Sequence, residues 1–437
     1  MSSPAVKRAD RAMLDTLQHE TFDYFLRNAS PHTGLIADRT EPGAPASIAA
    51  IGLGLSALCV AVARGWMARK AVASRTRATL QFFRDSVQSP APDATGYRGF
   101  YYHFLDMTTG RRAQGCELST IDTALLIAGV LTASAFFDGK SFDEVEIREL
   151  AEQLYRRVDW SWACEGAPTI GHGWTPEHGA LQSRWNTGYS EALLLYVLAL
   201  GSPTFPVAPE GYHAWTSTFE RKTVFDIDYI YAGPLFIHQL PHCWIDFRGI
   251  RDDLGRTLGW DYFENSARAT LVHQRYAIAN PLGFAHYSKD QWGLTASNGP
   301  GPCVRDIDGV RRVFYGYVAR GAPFGPDDGT IAPWAVVASL PFAPEIVCAT
   351  LHHAIARLAP ERRARPGFDA SFNSTFSDDH RAQGWVSRWR LGLNEGPIVV
   401  MIENHRSQLV WNLFRSSPHI VAGLRRAGFR SGWLDDR

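Results

Sequence analysis

Apolar residues along the chain recur mostly at helical spacing. Leu14, Leu17, Phe22, Phe25 and Leu26 line one face of a helix over about residues 9–28. The same periodicity predicts helices over roughly 46–66, 69–87, 119–136, 141–157, 189–201, 211–221, 256–278, 333–340, 343–358 and 403–416. Start signals support several of them. Ser119-x-x-Asp122 and Ser141-x-x-Glu144 read as capping boxes, and Pro344 suits a first helical turn. The connections alternate between short and long. The long ones, 88–118, 159–188, 222–255, 280–332 and 360–400, are rich in Gly, Pro, Trp and Asp, and loops of that length in a compact domain are usually functional. Short strands are expected within them, at Gly99–Phe104 and Arg312–Gly316. No Pro/Ser linker, repeat or charge block divides residues 1–437, which read as a single domain. About a dozen helices with elaborated loops at one end predict an all-α toroid, an (α/α)6 barrel whose long loops form a substrate cleft.

Composition narrows the function. Hydrophobic residues are 45% and charged residues 20%, which suits a globular protein with a sizeable core. Lys+Arg and Asp+Glu are 44 each, so neither a nucleic-acid footprint nor a polybasic membrane anchor is present. The first residues, MSSPAVKRADRAMLDTL, hold no apolar stretch of the signal-peptide type. That reads as cytoplasmic, or periplasmic if the sequence given is a trimmed one. The longest apolar run, Ile48 to Val62, is too short and too interrupted to span a bilayer. Six cysteines at 59, 116, 164, 243, 303 and 348 form no CxxC pair and read mostly as buried small hydrophobes. Gly52-Leu-Gly54-Leu-Ser-Ala57 formally fits a dinucleotide fingerprint, yet no strand precedes it and no acidic residue follows at the expected distance. Close helix packing explains these small residues better. The 15 histidines show no metal-ligand spacing, so neither a metal nor a cofactor is expected.

The 14 Trp, 15 Tyr and 24 Phe suit both core anchors and sugar-stacking platforms. Glycoside hydrolysis needs two carboxyl groups, one to protonate the leaving oxygen and one to activate water or attack. Four segments offer them. Trp185-Asn-Thr-Gly-Tyr-Ser-Glu191 places Glu191 in the first turn of an apolar helix, where a helix-dipole role is the plain alternative. Glu117-Leu-Ser-Thr-Ile-Asp122 supplies Glu117 and Asp122, the latter already explained by its capping box. Asp327-Asp328-Gly329-Thr330 is an acidic pair or an Asx turn. Leu393-Asn394-Glu395-Gly396-Pro397 and Met401-Ile402-Glu403-Asn404 supply Glu395 and Glu403, and Glu403 can instead pair with Arg406 on one helical turn. Trp174, Tyr189, Trp244, Arg248, Gln274, Tyr276, Trp292, Asn298 and Trp334 are further candidates for a sugar-binding groove.

With these segments in view, the chain resembles glycoside hydrolase family 144, the glycoamylase-like domain family. The likeness rests on Glu117–Leu126, Tyr189–Pro203, Trp292–Ser297, Asp327–Pro333, Ser339–Glu345, Gly396-Pro-Ile-Val and Met401–Asn404, in the family's order over about residues 10–420. It implies an (α/α)6 barrel acting on β-1,2-glucan, as an endo-β-1,2-glucanase or a sophorose-releasing exo-enzyme, with inversion and no cofactor. It places the general acid on Glu191 and a second pocket carboxylate on Asp122. Two positions depart from the family. Asn298 and Asn394 stand where Asp is usual, and an amide cannot serve as a general base. The base is therefore sought among Asp122, Asp328 and Glu395, about 6.5–9.5 Å from the acid for direct inversion. Transglycosylation, another β-glucan, or a sugar-binding relative without turnover are the alternative readings. The expected partner is a β-glucan oligosaccharide or polysaccharide, with no nucleic acid and no membrane, and the chain is expected to be a monomer or weak homo-oligomer.

Overall fold

The structure, a computed structural model, describes residues 8–357, 367–376 and 384–436. Its helices are α1 (Arg8–Arg27), α2 (Ile48–Ala63), α3 (Arg69–Asp85), α4 (Thr120–Phe136), α5 (Phe142–Arg157), α6 (Leu193–Gly201) and α7 (Pro209–Thr216). After them come α8 (Asp253–Leu258), α9 (Tyr262–Ala279), α10 (Pro333–Ala338), α11 (Pro344–Arg357), α12 (Gly392–Ser407), α13 (Leu409–Arg415) and α14 (Pro418–Arg426). Two burial patterns alternate along this order. α2, α4, α6, α10 and α12 are buried nearly all round. α1, α3, α5, α7 and α9 bury one face each. A helix apolar on every side must be enclosed by others, whereas one with an apolar stripe covers a core from outside. The first set forms the inner ring, with α2 packed on α4 and α12, α4 on α6, and α10 on α12. Two 3-10 segments, Leu235–His238 and Leu240–Cys243, take the remaining inner position. The result is the expected (α/α)6 barrel.

Short antiparallel pairs tie the beginnings of the inner helices together. Ala46–Ser47, entering α2, pairs with Phe104–Leu105. Leu118–Ser119, entering α4, pairs with Gly173–Thr175 and bridges Tyr102. Arg39 bridges Leu391 before α12, and residues 293–294 accept backbone hydrogen bonds from Ala332 and Leu235. The N-termini therefore gather at one end, beneath the long loops. The longest hairpin, Cys303–Ile307 with Val310–Phe314, stands at the surface with Val304, Val310 and Val313 about half exposed.

The serine N-cap of each expected capping box forms. Ser119 accepts from the Asp122 amide at 3.1 Å and Ser141 from the Glu144 amide at 3.4 Å. The periodicity misjudged three places. The 256–278 stretch breaks at Gly259, whose φ of 85° ends α8 before Asp261 caps α9. α6 begins only at Leu193. The largest miss is α12, whose first half, Pro397 included, falls inside the expected 360–400 loop. Pro397 removes one helical hydrogen bond, and the burial of every residue from Asn394 to Asn404 outweighs it. Four of the six cysteines are buried and none is in a disulfide. No described helix is long and apolar enough to cross a membrane.

The fingerprint-like glycines lie in the middle of buried α2. A Cβ on Gly52 would sit 2.1 Å from the Leu125 carbonyl oxygen, and one on Gly129 would sit 2.0 Å from that of Gly52. These two glycines let α2 and α4 meet backbone to backbone. Gly129→Ala is expected to lower stability by about 1–3 kcal/mol through overpacking, read as a lower midpoint in urea unfolding.

Candidate active site

Three of the sequence candidates converge where α4 and α6 begin. Asp122 sits in the first turn of α4, is buried, and accepts a short hydrogen bond from the Ser119 hydroxyl. Glu117 lies just before that helix and is half-buried. Glu191 lies two residues before α6. Its approach is set by Gly188 at φ 69°, whose N–H donates to Thr218 Oγ1 (2.9 Å) and whose carbonyl accepts from Trp215 Nε1 (2.8 Å). Loss of hydration pushes the Glu191 carboxyl up to about 7; its own amide opposes this, and the Asp122 charge adds to it. A carboxylic acid that keeps its proton near neutral pH beside a second carboxylate is the pairing that acid–base hydrolysis needs.

Three further residues, His103, Asp38 and Tyr317, complete the cluster, and the sequence reading missed them. His103 Nδ1 lies 3.0 Å from Glu117 Oε1, and its Nε2 lies 3.7 Å from Asp122 Oδ2. Burial disfavours its charge, but Asp122, Glu117 and Asp38 outweigh burial and push the imidazole up to about 9. Burial likewise opposes charge on Glu117, and the His103 hydrogen bond still holds that carboxyl below its ordinary range. Asp38 is buried and bonded at 2.9 Å to Arg39. Tyr317, in the loop after the surface hairpin, leaves 59% of its surface exposed and borders the cluster with its phenol end. Desolvation, followed by the charges of Asp38, Asp122 and Glu191, pushes its phenol up to about 12. The legible signal was weak: His103 lies in the predicted 99–104 strand, Tyr317 in the 280–332 loop, and Asp38 in no distinguishing pattern. Among the described residues, His103, Glu117 and Asp122 place donor atoms within 4.8 Å of one another, as metal ligands do. Here the histidine bonds Glu117 directly.

Several aromatics border this end. Trp185 stacks on His172 (centroids 3.9 Å apart) and donates to Thr120 Oγ1 at the start of α4. Trp174 packs with Tyr97 and Trp162 beside Leu118, and is half-buried. Asn298 is half-buried, and its carbonyl accepts from Ser371.

Other candidates are spent elsewhere. Asp328 is no free base: it is fully buried in an ion pair with Arg320, at 2.7 and 2.8 Å, and also accepts from the Tyr315 amide. Glu395 is buried and held at both oxygens by Arg390, at 3.1 and 2.6 Å. Asp327 accepts from the Tyr276 and Tyr287 hydroxyls, which makes Tyr276 a buried support. Glu403 lies at the far end of α12, about 17 Å from its start at 1.5 Å per residue, where it pairs with Arg406 and Gln18. Arg248 lies at that end too, bound to Asp246 and laid over Trp411. Trp244 is fully buried with Nε1 on Ser56, and Trp292 is buried with Nε1 on Thr350. Tyr189 is buried and stacked on Tyr262, and Trp334 is buried at the second position of α10. Gln274 donates to the Lys289 carbonyl on an outer helix. These positions misled because an aromatic or acidic residue in a Gly-rich loop looks the same whether it faces a cleft or a core.

Six pairs of elements in a barrel, with Glu191 and Asp122 neighbouring at the gathered helix N-termini, define the fold and the candidate site. Residues 183–418, more than half of the chain, match the model of the Glycoamylase family ("Putative glucoamylase"), and the chain belongs to that family. It is 28% identical to the exo β-1,2-glucooligosaccharide sophorohydrolase (non-reducing end) of Parabacteroides distasonis, covering 98% of this chain and 59% of that protein. The chain thus spans 59% of the length of that curated relative. The endo-β-1,2-glucanase of Chitinophaga pinensis, solved with sophorotriose and glucose, superposes with a TM-score of 0.84 at 26% identity, over 98% of this chain and 99% of that one. The endo-β-1,2-glucanase of Talaromyces funiculosus, solved with sophorose, shares the fold at 14% identity and a TM-score of 0.65, over 96% and 90% of the two chains.

Asp328 is expected to be structural. Asp328→Asn leaves the Arg320 charge buried without its counter-ion and is expected to cost about 3–5 kcal/mol of stability, measured by denaturant unfolding.

Proposed function

We propose that the protein hydrolyses β-1,2-linked glucan, with Glu191 as the general acid and Asp122 as the carboxylate that draws a proton from the attacking water. The observation that carries this reading is Glu191 itself, a half-buried carboxyl pushed up to about 7 next to Asp122. Protonated, it can deliver a proton to the glycosidic oxygen as the bond breaks. With Asp328 and Glu395 held in buried ion pairs, Asp122 is the sequence candidate left to act opposite it. The β-1,2-glucan substrate is supported by the activities named for the Parabacteroides and Chitinophaga relatives. Trp174, Trp185 and Tyr317 are proposed as walls for the sugar rings, whose C–H faces pack on aromatic surfaces. Asn298 is proposed to offer its amide to a sugar hydroxyl.

The test is incubation of the purified protein with linear β-1,2-glucan and chromatography of the products. Sophorose alone marks exo action, mixed short oligosaccharides mark endo action, and products longer than a single starting oligosaccharide mark transglycosylation. Glu191→Gln is expected to lower kcat/KM by about 10²–10⁴-fold with folding unchanged. Wild-type activity is expected to fall as pH rises through about 7, because the acid then enters each cycle without its proton. Full activity in the folded Gln variant sinks the assignment. A folded wild type that is stabilised thermally by the glucan without turnover reverses the reading to a sugar-binding relative.

A further inference from the structure

We propose that His103 is a positioning residue, an imidazolium clamp that holds Asp122 and Glu117 ionised and oriented so that Glu191 keeps the proton; this rests on the hydrolytic reading above. The geometry carries it. Both ring nitrogens face carboxylate oxygens, Nδ1 toward Glu117 at 3.0 Å and Nε2 toward Asp122 at 3.7 Å. A neutral imidazole has one N–H and one lone pair, so with Nδ1–H on Glu117 it would turn its lone pair toward an anion; only the cation donates to Glu117 and also presents an N–H to Asp122, at ion-pair rather than hydrogen-bond distance. The ring cannot swing aside freely. It stacks on Phe104, with centroids 4.1 Å apart and planes 14° apart. The His103 amide donates to the Glu117 carbonyl at 3.0 Å, and its carbonyl accepts from Ile48, the first residue of α2, at 3.3 Å. The residue is thereby fastened to the starts of both α2 and α4.

The groups facing this clamp are Asp38, Glu117 and Asp122. Arg112 also acts on Glu117, Arg39 neutralises Asp38, and Glu191 and Tyr317 stand beyond Asp122. Two neighbouring carboxyls resist ionising together, and symmetry alone does not decide which one gives up its proton. A cation on the far side of Asp122 decides it. The Asp122 charge in turn favours the proton on Glu191. The raised proton affinity of His103, up to about 9, keeps the clamp charged across the working range of such a pair.

The test has a readout independent of turnover. Long-range 1H–15N spectra of 15N-histidine-labelled protein are expected to show His103 with both nitrogens protonated at pH 7, identified by the signal missing in His103→Gln and moved in Glu117→Gln. In Glu117→Gln its titration is expected to fall to lower pH. A neutral His103 at pH 7 overturns the proposal, even where the Gln variant at 103 fails to fold. In pH profiles on linear β-1,2-glucan, His103→Gln is expected to move the acidic limb up by about 1 unit or more. The loss falls on kcat more than on KM. A profile of unchanged shape, merely lower, overturns it, because a structural role would scale the curve without moving it. Chelator treatment is expected to leave wild-type activity intact; loss on chelation, restored by a divalent cation, replaces the clamp with a metal centre. If wild type cleaves no β-1,2-glucan, the hydrolytic reading fails, while the imidazole spectrum still decides the charge of His103.

Discussion

The contact on which the site depends is the backbone-to-backbone approach of α2 and α4 at Gly52 and Gly129. No side chain separates the two helices there, so the distance between their N-termini is set by main-chain contact rather than by adaptable packing. The first amide of α2 holds the His103 carbonyl, and the first turn of α4 carries Asp122. The separation of histidine and aspartate is inherited from the helix crossing. A second crossing of this type, where Gly423 of α14 meets the Val197 carbonyl of α6, braces the helix that Glu191 precedes.

Charge is distributed around that frame unequally. Asp328 is matched to the fully buried Arg320, and Glu395 to the half-buried Arg390. In the cleft, Asp38, Glu117, Asp122 and Glu191 face Arg39 and His103, and the surplus of carboxylates raises the proton affinity of its neighbours. Burial raises the proton affinity of Glu191 and of Glu395 alike, but Glu395 is held at both oxygens by an arginine, whereas Glu191 has no such counter-ion. The same residue type does opposite work according to what stands beside it.

Legibility followed the range of the interactions involved. Helix spacing, capping boxes and the alternation of long and short connections are local in the chain, and they were enough for the barrel class. Gly52 read correctly as a packing residue because no strand or acidic partner accompanied it. Glu191 stood out because it opens an apolar helix after a Gly- and Trp-rich loop, and Asp122 and Glu117 because they flank the Ser119 cap of α4. α12 did not, because a Gly-Pro pair breaks a helix unless enclosure on all sides supports it, and enclosure is not written in neighbouring residues.

The sequence by itself determined most of the helices and their order, and the short list of carboxylates able to carry acid chemistry, since these follow from periodicity and residue type. Only the tertiary structure decided which carboxylates are free. Arg320 reaches Asp328 across eight residues of folded loop, and Arg390 closes on Glu395 at the start of α12. His103 meets Asp122 only because α2 and α4 touch. A carboxyl's proton affinity depends on the charges and water within a few ångströms of it, and folding alone determines which groups those are.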